Sequence, residues 1–69
     1  RERIERLTPR EADLLRAMLQ GETTKQAAYA LGISVRTAEM HRGNLLDRLG
    51  VRSMAEAIRI AVQAGWVPQ

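Results

Sequence analysis

The chain has no cysteine and a single histidine among its 69 residues. The missing cysteines exclude a disulfide framework, a thiolate metal site and a cysteine nucleophile. They also fit a reducing cytoplasm, the expected compartment. No apolar run approaches the roughly 20 residues that span a bilayer, and no signal-peptide pattern opens the chain, so no membrane partner is expected. Alternating β-branched runs and Asn-Gly pairs are lacking, which removes the usual strand and hairpin signals. There is no glycine-rich phosphate loop and no pair of carboxylates placed for acid–base work, so no enzyme, metal site or cofactor is expected.

What is there bounds a single domain. A chain of this length buries only about 60% of the surface its unfolded form exposes, so its stability is modest. It begins with Arg1 rather than Met, as expected of a piece of a longer protein. Residues 1–6 alternate in charge sign and read as the solvated end of a linker, which leaves residues 7–69 as the domain.

Capping signals divide that domain into four helices. Thr8-Pro9-Arg10-Glu11 combines a Thr cap, Pro at the first helical position and Glu three residues after the cap. Leu14, Leu15, Met18 and Leu19 then form an apolar stripe that Gly21 closes. Thr23 and Gln26 repeat the capping box before a short helix ending at Leu31-Gly32, and Ser34 caps a longer one that stops at Gly50. Ser53 and Glu56 form a third box for a last helix ending at Ala64-Gly65. The expected fold is all-α: four helices, at about 9–20, 24–31, 35–49 and 54–64.

The middle pair has the form of a helix-turn-helix, spanning roughly Thr24 to Gly50. Gly32 can take the positive φ that turns the chain, Ile33 can plug the corner, and Ala28 leaves room for a close helix crossing. Spacing alone is equally compatible with an ordinary helical hairpin. Charge favours a nucleic-acid reader. Residues 1–23 hold five Arg against five acids, and residues 53–69 balance Arg59 against Glu56. The whole net charge of +3 therefore falls on residues 24–52, through Lys25, Arg36, Arg42, Arg48 and Arg52 against Glu39 and Asp47. Excess cation on one structural unit is the footprint of a protein that meets phosphate.

A helical wheel sorts the third helix. Val35, Ala38, Leu45 and Leu49 fall within about 80° and are expected in the core. Arg36, Glu39, Met40, Gly43 and Asp47 lie opposite, with Asn44 flanking. On a docked recognition helix, Glu39 can accept from a cytosine amino group and Met40 can touch a thymine methyl. Gly43 lets the helix seat deeply, and Arg36 stands at the entrance, near phosphate or guanine. Arg42 falls near the apolar face, so its stem is expected half buried. His41, on the flank, either donates to a phosphate or packs against a neighbour. In the last helix, Met54, Ala55, Ile58, Ala61 and Val62 are assigned to the core, and Ala57, Ile60 and Ala64 to a second strip where two copies could meet.

In order and spacing, Leu7-Thr8-Pro9-Arg10-Glu11, Gly21, residues 23–28 and Leu31-Gly32-Ile33-Ser34 resemble the LuxR/FixJ family of bacterial transcriptional regulators. Thr37 through Arg42, then Leu45, Leu49, Val51 and residues 55–65, continue the resemblance, and residues 36–42 are most similar to its FixJ-type branch. The resemblance implies double-stranded DNA as partner, with Glu39, Met40 and Gly43 facing bases, and Asn44, flanking them on the wheel, is expected to face bases beside them. The resemblance places Lys25, Arg36 and Thr37 at the backbone, where His41 and Arg42 also fall. It further implies a homodimer on DNA through the fourth helix (Ala57, Ile60, Ala64) and an N-terminal receiver or sensor domain outside this chain. Ala27 and Ala38 stand where the family carries larger branched residues, and Gln26 replaces its usual Glu. Two rivals remain open: a helical protein-interaction module without nucleic acid, and a sigma-factor-like promoter reader, which would lack the second apolar strip.

Overall fold

The computed structural model describes residues 3–67. Four helices follow one another: α1 (Pro9–Leu19), α2 (Thr24–Leu31), α3 (Val35–Leu49) and α4 (Met54–Gln63). No strand occurs among the described residues, so the all-α expectation holds and the helix ends fall within one residue of the expected ones.

Local chemistry explains the boundaries. Thr8 and Thr23 each close a full capping box, in which the hydroxyl accepts from the N–H three residues on and the Glu11 or Gln26 side chain accepts from the cap's own N–H. Ser34 and Ser53 cap through their hydroxyls alone. At Ser53 the expected reciprocal arm is displaced: Glu56 Oε2 accepts from the Arg52 N–H (3.1 Å) and the Ser53 hydroxyl (3.2 Å). Two helices end on left-handed glycines, Gly32 (φ 71°) after α2 and Gly50 (φ 69°) after α3. Side chains with a Cβ rarely adopt this conformation, so glycine makes both reversals sharp.

Leu14 and Leu15 of α1, Ala27 of α2, Leu45 and Leu49 of α3, and Ala57 and Ala61 of α4 form the core. Helix α1 packs against each of the other three, and α2 against α3. Ala28 and Ala38, one on each motif helix, are also buried. Small residues at these two positions let α2 and α3 approach closely, and that fixes how α3 is presented.

Three expectations need correcting. The lead-in is not solvated throughout, because Ile4 is 6% exposed and belongs to the core. It sits in a 3-10 turn (Ile4–Arg6), and Arg3 Nη1 donates to the Leu49 carbonyl at 2.7 Å, a cation on the C-terminus of α3. Residues 1 and 2 lie outside the described residues. Val35 is not in the core; it is 44% exposed, since the buried stripe of α3 begins one turn later at Ala38.

The faces of α4 are also rearranged. Ala57 is fully buried, and Ile60 and Ala64 are half-buried against the core, while Ala55 and Val62 are exposed. The apolar residues of α4 spread over about 220° of the helix, of which about 160°, from Ile60 round to Ile58, turns to the core. The two strips expected from the sequence therefore do not coincide with the buried and exposed sides. The alanines at 57 and 61 carry no bulk, so α4 settles onto the core along that line. The strip Ala57, Ile60 and Ala64 is therefore an inner surface rather than a free one.

Candidate nucleic-acid interface

The outward face of α3 is built by what its inward face buries. With Ala38, Leu45 and Leu49 fully buried, Arg36, Glu39, Met40, Gly43, Asn44 and Asp47 are all exposed. The four expected base-facing residues (Glu39, Met40, Gly43, Asn44) thus share one solvent-facing side of one helix. At Gly43 a Cβ would meet nothing within 4 Å, so glycine is not required there by any neighbour in the fold. Its effect is to leave a gap in the outward face.

The expected backbone-contacting residues divide into two groups. Lys25 and Arg36 are exposed and make no ion pair within the described residues. Thr37, His41 and Arg42 are half-buried on the flanks, in agreement with the snorkelling position expected for Arg42. The hydroxyl of Thr37 belongs to the helix cap: Ser34 Oγ donates to Thr37 Oγ1 at 2.9 Å and accepts from the Thr37 N–H at 3.0 Å. Accepting from Ser34 leaves the Thr37 O–H proton free to donate outward.

Arg48 departs from the charge reading. Its guanidinium is held by Glu11 of α1 at 2.7 Å, so one of the five cations of residues 24–52 is spent inside the fold. Neither the spacing nor the wheel indicated this pair, because its partners are 37 positions apart.

Residues 5–61 match the sequence profile of bacterial regulatory proteins of the luxR family. The chain belongs to that family. The luxR-family domain is 46% identical over 61 residues to the transcriptional regulatory protein MctR of Rhizobium johnstonii, covering 88% of this chain and 28% of that protein. It is 39% identical over 66 residues to the transcriptional regulatory protein FixJ of Azorhizobium caulinodans, covering 96% of this chain and 31% of that one. A third relative, at 39% over 59 residues, is the uncharacterized response regulatory protein YgeK of Escherichia coli, with 86% of this chain and 40% of that protein covered. The chain therefore spans well under half the length of these relatives. No solved structure gives a significant match.

One surface residue of the luxR-family domain escaped the sequence reading. Tyr29 of α2 is 90% exposed, the largest exposure among the exposed large apolar side chains. It lies one turn after Lys25 on the same strip of α2. The helical wheel applied to α3 would have found it on α2.

Proposed function

We propose that this domain reads double-stranded DNA with α3 in the major groove. The observation that supports this best is the uncovered face of α3, where acceptor (Glu39), apolar (Met40), empty (Gly43) and amide (Asn44) positions lie side by side. Such a face can exchange hydrogen bonds and apolar contacts with base edges. Lys25, Arg36 and Thr37 meet phosphates at the leading end, and His41 and Arg42 on the flanks. Tyr29 adds a phenolic donor to the Lys25 strip, a group able to bond a phosphate oxygen.

Two copies pair on DNA through the outer edge of α4, where Ala55, Arg59 and Val62 are exposed at i, i+4 and i+7. That edge takes the place of the buried strip. By analogy with the longer relatives, the domain is the output half of a cytoplasmic response regulator whose receiver precedes it. Selection of bound duplexes from a random pool tests the reading. An enriched site should appear, and with about four phosphate contacts log K should fall against log[salt] with a slope near −3.6. Glu39→Ala should alter preference at one base pair by about 1–3 kcal/mol. A flat salt response and no enriched site would favour a protein-interaction module instead.

A further inference from the structure

Val35 has no role in the core and none in the base-facing set. It is the first residue of α3, 44% exposed, and follows Ser34, whose hydroxyl is engaged with Thr37. Helix formation does not account for it either, since a β-branched residue is a poor choice at an exposed helical position. Its place on the helix is specific. At 100° per residue Val35 lies about 40° from Glu39, one turn ahead of it along the same strip. The leading end of a recognition helix is the part that reaches base edges. An isopropyl group gains nothing against a phosphate, which it would desolvate without offering a hydrogen bond. The major groove presents one prominent apolar group, the 5-methyl of thymine.

We propose that Val35 is a specificity-determining residue that reads a thymine methyl within two base pairs of the pair read by Glu39. The distance follows from geometry: one helical turn advances about 5.4 Å, and successive base pairs are about 3.4 Å apart. The proposal rests on α3 lying in the major groove. The two side chains would then form a short reading unit, a carboxylate accepting from cytosine and a methyl-bearing branch packing on thymine.

Deoxyuridine supplies the test, because it pairs like thymidine and lacks only the 5-methyl group. A site selected from a random duplex pool is resynthesised with each thymine in turn replaced by deoxyuridine. Affinity is then measured for the native chain, Val35→Ala and Val35→Thr, each first checked for native helical circular dichroism. At one thymine, loss of the methyl should weaken native binding about fourfold, the value of one buried methyl-sized group. The same replacement should have no effect on Val35→Ala, and an intermediate effect on the near-isosteric Val35→Thr. The proposal is overturned if no thymine shows a methyl effect, or if every methyl effect survives in Val35→Ala. If the pool yields no enriched site at all, the groove-docking reading fails and this one with it.

Discussion

Arg48 Nε on α3 donates to Glu11 Oε1 on α1 at 2.7 Å, and the same carboxylate oxygen accepts from the Thr8 N–H at 3.0 Å. Glu11 is 2% exposed. One buried carboxylate thus starts α1 and ties the last turn of α3 to it. Arg3 holds that same end from the lead-in, through the Leu49 carbonyl. The C-terminal end of α3 is fastened twice, and the outward face of its N-terminal half is left open.

Removing the shared carboxylate should therefore do more than removing an ordinary cap. Glu11→Ala leaves the Thr8 N–H and the Arg48 guanidinium without their partner, and is expected to cost about 2 kcal/mol. Arg48→Met takes the charged donor from a carboxylate that stays buried, and should cost about 1–3 kcal/mol. Thermal denaturation of both single variants and the double variant should give a coupling clearly different from zero, with the double variant less damaged than the two losses added. Additive losses would mean that the pair contributes nothing beyond its parts.

The same pair predicts which cations DNA can feel. Lys25→Ala and Arg36→Ala should each weaken binding to all sequences by similar factors and reduce the salt slope by about 0.9. Arg48→Met should leave the slope unchanged, because its charge is already matched by Glu11. Tyr29→Ala should weaken binding uniformly, and Tyr29→Phe equally if the hydroxyl is the contacting group. Affinities on matched and scrambled duplexes at two salt concentrations separate these outcomes. A slope change for Arg48→Met equal to that for Lys25→Ala would show that the Glu11 pair opens on DNA.

Much of the fold was written in local signals, and the exceptions have physical causes. Helix starts and stops depend on neighbours three or four residues apart, so Thr8/Glu11, Thr23/Gln26, Gly32 and Gly50 were readable directly. The outward face of α3 was equally legible, because its three buried residues fix the orientation of the rest. Contacts between distant segments were not. Ile4 looked like part of a charged linker, Glu11 like a cap alone, and Arg48 like a free cation. The faces of α4 failed for a different reason. Its apolar residues wrap more than a third of the helix, so periodicity could not choose which edge stays exposed, and only the packing of Ala57 and Ala61 decides it.

Gly43→Leu separates a fold role from a docking role. Nothing lies within 4 Å of the position its Cβ would take, and the residue is helical and exposed. The substitution should leave the fold intact or raise its stability by up to about 1 kcal/mol through helix propensity. Specific DNA binding should be lost, because the added side chain stands where base edges must approach. Circular dichroism with a binding isotherm checks both halves. Native affinity in a well-folded Gly43→Leu chain would place the groove elsewhere than on this face.

The two edges of α4 give opposite expectations for one kind of change. Ile60 is half-buried against the core, so Ile60→Asp puts a carboxylate among apolar neighbours and should destabilise by about 2–3 kcal/mol, a large share of what a domain this small possesses. Val62 is 53% exposed, so Val62→Asp should leave the melting temperature within a few degrees of native. On DNA carrying a single half-site, Val62→Asp should bind as the native chain does. On paired half-sites it should lose cooperativity, since two like charges would face each other wherever the outer edges of α4 meet. Adding Ala55→Asp should deepen the loss. If cooperative binding survives both changes in a folded chain, α4 serves only to cover the core, and pairing must come from segments outside these residues.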